Sequence, residues 1–144
     1  MSYDDKLKSL LSRLEKIPKP RLATLLCRVT RELLESDAAN SPLQAWVCLE
    51  VAEACLRGEK SREEAIQAAG AAEHAWKTDL SQANEPNLAL WVVDAAAWAA
   101  GNPIEPSYCV EVLSSIAVES GYIDWGRINE IIDSEVKKNG LNAT

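Results

Sequence analysis

Apolar residues recur along the chain at spacings of three and four, and no segment alternates strictly between apolar and polar positions. Spacings of three and four place apolar side chains on one face of an α-helix, whereas a half-buried β-strand requires alternation of apolar and polar residues. The pattern therefore predicts an all-α fold of about seven helices without a sheet. The predicted helices span residues 3–17, 20–35, 42–57, 61–80, 86–100, 105–119 and 124–139.

Short local motifs indicate where helices begin and end. Ser41 is a predicted N-cap, and Pro42 suits the first turn because proline lacks the N–H that would go unbonded there. Gly58 is a predicted C-terminal stop. In "SREE", Ser61 and Glu64 have the spacing of a capping box, in which each side chain bonds the backbone N–H of the other residue.

An internal repeat is visible when the sequence is shifted by 45 residues, because five of twelve aligned positions are then identical. The identical pairs are Leu43/Leu88, Trp46/Trp91, Val47/Val92, Ala52/Ala97 and Ala54/Ala99. Repeats of this length are typical of stacked helix hairpins, as in α-solenoids and short bundles. We expect a single helical domain over 1–144, with a basic helix pair at 1–36, related hairpins at 42–80 and 86–119, and a capping helix at 124–139 between Asp124 and Gly140.

Charge is distributed unevenly over a chain whose net charge is -7. Residues 1–31 hold eight Lys or Arg against three Asp or Glu, whereas residues 32–144 hold seven against nineteen. An acidic surface repels the phosphate backbone and attracts basic proteins, so we expect no nucleic-acid partner. The basic first helices are expected to contact the acidic remainder, either within one chain or in a homo-oligomer.

The composition also bears on the compartment and on cofactors. The longest nearly uncharged stretch, 87–102, is short for a membrane span and contains Asp94, and the N-terminus lacks the pattern of a signal peptide. No zinc-type spacing joins the cysteines to the single histidine. We expect a cytoplasmic protein without membrane association, metal or cofactor, whose reduced cysteines are Cys27, Cys48, Cys55 and Cys109.

Catalytic motifs are not evident in the sequence, which contains no phosphate loop, no nucleophile elbow and no metal-ligand helix motif. His74 shares a polar helix face with Gln67, Gly70 and Thr78, where no nucleophile accompanies it. The expected function is therefore not enzymatic. The alternative is an enzyme or a small-ligand-binding protein with a site between the repeats near Asp94.

The fifth predicted helix carries two tryptophans, Trp91 and Trp98, on one face with Asp94 between them. The alanines around this helix allow neighbouring helices to approach closely, which is typical of a central helix. The carboxylate of Asp94 then needs solvent, a cation or an indole N–H as its partner. Both a tryptophan core with an aspartate at its edge and a recognition groove fit this pattern.

The third predicted helix has a parallel arrangement, in which Trp46, Glu50, Glu53 and Arg57 follow one stripe. Glu53 and Arg57 have the spacing of an intrahelical ion pair. Aromatic anchors surrounded by carboxylates suit the docking of a basic protein. If the repeats stack side by side, the predicted binding residues are Trp46, Glu50, Glu53, Trp91, Asp94 and Trp98.

One long segment, residues 45 to 76, resembles a known family. It reads "AWVCLEVAEACLRGEKSREEAIQAAGAAEHAW", with a Trp-led helix ending in "RGE", a capping box and an Ala-rich helix that contains "EHAW". The region around it, roughly 43–100, is similar to the all-α, alanine-rich immunity proteins of bacterial toxin systems. This resemblance implies a small acidic protein that inhibits a toxin by binding it stoichiometrically.

Overall fold

The computed structural model describes residues 2–83 and 86–138, with the side chains of 80–83 left outside that description. The described residues form seven α-helices, one short 3-10 turn and no strand, which confirms the predicted all-α fold. The helices are α1 (Tyr3–Leu14), α2 (Lys19–Ser36), α3 (Leu43–Leu56), α4 (Arg62–Ala83), α5 (Leu88–Gly101), α6 (Pro106–Glu119) and α7 (Trp125–Lys138), with the 3-10 turn at Ala38–Asn40.

Most of the predicted helix ends are confirmed by hydrogen bonds. The Ser61 hydroxyl accepts from the Glu64 N–H at 3.1 Å, and the Glu64 carboxylate accepts from the Ser61 N–H at 3.3 Å, as a capping box requires. Gly58 has a φ of 79° just beyond α3, the left-handed conformation that glycine adopts without strain. Asp124 accepts from the Arg127 N–H at 2.8 Å at the start of α7. The predicted stop at Gly140 lies outside the described residues.

Three predicted boundaries were wrong. The N-cap of α3 is Pro42, since the Ser41 hydroxyl instead donates to the Asp37 carbonyl at 2.7 Å. The cap of α5 is Asn87, whose side chain accepts from the Leu90 N–H at 3.1 Å, so α5 begins two residues after the proline expected to start it. The first helix ends at Leu14 rather than at residue 17.

Helix α5 lies at the centre of the bundle and packs against α2, α3 and α4. It runs parallel to α3, because contacts join both pairs of corresponding ends. At the start, the Asn87 side chain donates to the Asn40 carbonyl at 3.1 Å, and at the end, the Cys55 thiol donates to the Ala100 carbonyl at 3.6 Å. The bounds of the two helices differ by the 45 residues of the sequence repeat. Helix α6 packs less against α5 than against α1, and the overall helix packing is that of a bundle.

The basic first helices form ion pairs with the acidic remainder of the same chain. Of the two expected arrangements, contact within one chain is therefore present. Glu135 of α7 is only 1% exposed and accepts from Arg28 at 3.2 Å, while Arg21 lies 3.8 Å from its second oxygen. The other pairs formed by cations of α1 and α2 are Arg13–Asp133, Lys19–Glu105 and Arg31–Glu53.

The cysteines occupy apolar surroundings. All four are free, and three of them are buried in the core, the exception being the half-buried Cys55. Burial raises the pKa of Cys27 and of Cys109 to about 12, so these thiols stay protonated at neutral pH. Within the described ranges, no cluster of three or more potential metal ligands occurs, and no helix has the length and apolar character needed to cross a membrane.

Candidate functional site

The tryptophans and the aspartate of α5 form the one stripe of this helix that faces solvent. We call Trp91, Asp94 and Trp98 the α5 stripe. Trp91 and Asp94 are half-buried and Trp98 is 43% exposed, whereas the remainder of the helix between Ala89 and Ala99 is buried. The stripe is therefore a boundary between the core and solvent, and Trp98 does not belong to the core.

Asp94 accepts a hydrogen bond from an indole, as the sequence suggested, but the donor comes from another helix. The Nε1 of Trp76 on α4 donates to Oδ2 of Asp94 at 2.9 Å. Burial raises the pKa of Asp94, and the hydrogen bond from Trp76 opposes that shift in part. Burial raises the pKa of Tyr108 on α6 to about 12, and the charges of Asp94 and Glu111 add to that rise. Among the described side chains, none forms a salt bridge with Asp94, but the charge of Lys77 also opposes the rise of its pKa.

Replacing Asp94 by Asn should therefore stabilise the fold slightly at neutral pH. A raised pKa means that ionised Asp94 opposes folding, and an amide retains the acceptor for Trp76 without the desolvated charge. We expect a gain of less than about 1 kcal/mol, because the carboxylate is half-exposed and screened. The gain should disappear as pH falls below the ordinary aspartate pKa, where both states carry the proton. Thermal unfolding of wild type and D94N between pH 3 and 8 measures this, and a variant less stable at pH 7 than at pH 3.5 relative to wild type would contradict it.

The α3 stripe, defined as Trp46, Glu50 and Glu53, lies beside α2. Glu53 accepts two hydrogen bonds from Arg31, at 2.8 Å from Nε and 2.5 Å from Nη2. The same guanidinium lies over the Trp46 ring, 5.5 Å from the ring centroid. The hydrogen bonds with Glu53 raise the pKa of Arg31. An aromatic face and a carboxylate together thus hold one arginine of the chain.

The predicted ion pair between Glu53 and Arg57 does not form. Arg57 is the C-cap of α3, and its guanidinium pairs with Glu59 beyond the glycine turn. Glu53 instead faces Arg31, whose planar guanidinium offers two donors to one carboxylate. Sequence spacing within one helix gave no sign of this partner, because Arg31 belongs to α2.

The outer face of α3 exposes two apolar residues that the sequence analysis treated only as repeat positions. Leu43 is 78% exposed and Val47 is 47% exposed, and the exposed Glu50 follows them on the same face. Their counterparts in α5 are Leu88, which is half-buried, and Val92, which is fully buried. The difference arises because α5 is surrounded by other helices, whereas α3 has one face to solvent.

The two stripes do not merge into one surface, contrary to the expectation that stacked repeats would place them side by side. Although α3 and α5 pack together, Trp46 and Glu53 turn toward α2 while Asp94 turns toward α4. No hydrogen bond, ion pair or ring contact of the described residues joins the two stripes. The predicted binding residues therefore form two separate groups.

A cavity of about 620 Å³ lies at the start of the α5 stripe, between α5 and α6. This size falls within the range of about 300–1,000 Å³ that is common for ligand sites. The described residues that line it are Pro86, Leu88, Trp91, Ser115 and Glu119.

The single histidine, on which acid–base chemistry would depend, belongs to neither the α3 stripe nor the α5 stripe. His74 is exposed on α4, and its backbone carbonyl accepts from the Thr78 hydroxyl at 2.8 Å.

Comparison of the chain with protein-family models, with curated proteins and with solved structures gave no match.

Proposed function

We propose that this chain is a non-enzymatic binding module for a basic protein, in the manner of an acidic immunity protein that sequesters a basic toxin. The observation that carries the proposal is the outer face of α3, where Leu43 and Val47 expose apolar surface next to Glu50. Interfaces of this kind combine a few apolar anchors with charges that select the partner. The resemblance of residues 43–100 to immunity proteins supports the same partner class.

The arrangement of charges supports a basic rather than an acidic partner. The cations of α1 and α2 are largely engaged by carboxylates of the same chain, Arg28 with Glu135 being the most buried example. The positive charge of these arginines is thus partly neutralised within the chain. Exposed carboxylates such as Glu50 and Glu63 have no ion pair in the described part of the chain. An acidic exterior speeds encounter with a basic protein and makes the encounter sensitive to salt.

The test separates binding from folding with two charge reversals on α3. Glu50→Lys changes an exposed carboxylate, so we expect binding to a captured partner to weaken about tenfold while stability changes by less than about 0.5 kcal/mol. Glu53→Lys removes the acceptor of Arg31 and places two cations together, so it should lower stability by about 1–3 kcal/mol and is unsuitable as a binding test.

The measurement is calorimetric titration of the partner captured from a native lysate, at low and at physiological salt, with thermal unfolding of each variant. Glu63→Lys is the matched control, because Glu63 is an exposed carboxylate on α4 with no role in the proposed face. Equal affinity of E50K, E63K and wild type at both salt concentrations would contradict a role for α3 in binding.

A second candidate function has its own observation. Asp94 is a half-buried carboxylate near four aromatic side chains from three helices, an arrangement that suits a small cationic ligand. The aromatic residues are Trp76, Trp91, Trp98 and Tyr108. Native mass spectrometry of the purified protein decides between a stoichiometric small molecule and a protein partner, since only the former remains with a chain isolated alone.

A further inference from the structure

We propose that the cavity against Trp91 receives an arginine side chain of the partner. This inference rests on the proposed function, in which the partner is a basic protein. The cavity lies between α5 and α6, measures about 620 Å³ and has Trp91 and Glu119 in its wall. It thus pairs an aromatic surface with a carboxylate, the two groups that a guanidinium contacts most favourably.

The protein itself shows how such a pair holds a guanidinium. On the other repeat, Arg31 lies over the Trp46 ring at 5.5 Å from the centroid and donates twice to Glu53. Trp46 and Trp91 correspond under the 45-residue shift and occupy the same position in two parallel helices. Trp46 therefore has an arginine of its own chain, supplied by α2.

Trp91 has no such cation. The described residues around its cavity are apolar, polar or acidic, and Glu119 forms no ion pair in the part of the chain that the structure describes. Among its described residues, the cavity has a tryptophan and a carboxylate, as the Arg31 site does, but no cation, so an arginine from outside the chain completes it.

The location of the cavity fits the proposed docking face. The starts of α3 and α5 are held together by the hydrogen bond from Asn87 to the Asn40 carbonyl. Leu43, in the first turn of α3, and Leu88, in the wall of the cavity, therefore lie at the same end of the bundle. A partner that covers this end contacts the apolar residues of α3 and inserts an arginine beside Trp91.

Arginine fits the site better than lysine because its planar guanidinium stacks on an indole while donating to a carboxylate in its own plane. The ammonium of lysine is a strongly hydrated point charge that gains less from either contact. Citrulline has the same shape as arginine without the charge. These three side chains therefore distinguish a guanidinium site from a site for any cation and from an apolar cavity.

The experiment uses the full chain labelled with 5-fluorotryptophan, whose five resonances are assigned from single Trp→Phe variants. N-acetyl-arginine amide is the probe. We expect a saturable shift of the Trp91 resonance with millimolar affinity and no saturable shift of Trp125, which lies on α7. The lysine analogue should bind at least threefold more weakly, and the citrulline analogue should give no saturation.

Glu119→Gln removes the exposed carboxylate without affecting the core, so the arginine probe should bind it about fivefold more weakly. Glu111→Gln, on the same helix outside the cavity wall, is the matched control and should bind like wild type. Trp91→Leu is followed through the backbone amides of Leu88 and Ser115, where the saturable shift should vanish. Its circular dichroism melt reports whether it folds, and E119Q tests the proposal independently.

Equal responses to arginine, lysine and citrulline, or equal affinity of E119Q and E111Q, would overturn the arginine site. Such a failure leaves the proposed function standing if E50K still weakens the captured partner. The reverse result, in which the probe binds Trp91 but E50K leaves the partner unaffected, refutes the role of α3 while supporting the cavity.

Discussion

Gly101→Ala is expected to destabilise the protein by about 2 kcal/mol, even though alanine is the better helix former. A Cβ at this position would lie 2.7 Å from Cγ1 of Ile66 and 2.9 Å from the backbone oxygen of Arg62. The carbonyl belongs to the first residue of α4 and cannot turn away as a side chain does. The end of α5 would therefore have to move away from the start of α4. Chemical denaturation should show a lower midpoint with little change in slope, and Tm should fall by about 5 °C.

Gly70→Ala is the matched control for this prediction. Gly70 lies within α4, is exposed, and a Cβ there would meet nothing within 4 Å. The same substitution should therefore stabilise the protein by about 0.5–1 kcal/mol through helix propensity alone. The two glycines are thus expected to respond with opposite signs. Stabilisation by both substitutions would show that α4 and α5 are not in close contact at Gly101.

The second large effect is expected for Arg28→Ala, at about 2–3 kcal/mol. Arg28 donates to Glu135 at 3.2 Å and to the Ser134 hydroxyl at 3.0 Å. Glu135 is buried, so removal of Arg28 takes a charged donor from a desolvated carboxylate, while Arg21, 3.8 Å away, is retained. Breaking a fully buried pair costs about 3–5 kcal/mol. The expected loss is smaller because Arg28 is partly exposed and Arg21 is retained.

Two further variants identify the cause of this loss, all measured by urea unfolding at pH 7. Lys19→Ala removes a pair with Glu105 in which both side chains are exposed, so it should cost less than about 1 kcal/mol. Replacing Arg28 by Ala and Glu135 by Leu together should recover part of the stability lost in R28A, since the buried carboxylate of Glu135 is then removed. A double variant less stable than R28A would show that the packing of Arg28, and not the charge of Glu135, causes the loss.

The fold was largely predictable because its signals are local. Apolar spacing predicted the seven helices of the described residues, and the capping box of Ser61 and Glu64 gave the start of α4 to within one residue. The choice of the residue that caps a helix was less predictable, and the prediction of Ser41 as a cap was wrong. Ser41 and Asn87 are both good cap residues, but only Asn87 caps a helix, because the Ser41 hydroxyl bonds to the turn before α3.

The site was less predictable because its partners lie on other helices. The sequence indicated that Asp94 needed a polar partner, and an indole does supply it, but Trp76 is eighteen residues away and on another helix. The same holds for Arg31, which displaces the predicted partner of Glu53. Burial of Leu43 and Val47 was also undetermined, since the repeat relates these positions to α5 while only α5 is enclosed by neighbours.

The side-chain contacts that link α1 and α2 to α7 can form only late in synthesis of the chain. Arg13 bonds to Asn129 and Arg28 to Glu135, across 116 and 107 residues of chain. As the chain leaves the ribosome, the cations of α1 and α2 remain in water until the residues around 129–135 have been made. Contacts of such long range form slowly. The buried face of α7 therefore closes the bundle as a late step, and a nascent chain that stalls before α7 exposes an apolar groove flanked by unpaired arginines, a form that chaperones and proteases recognise.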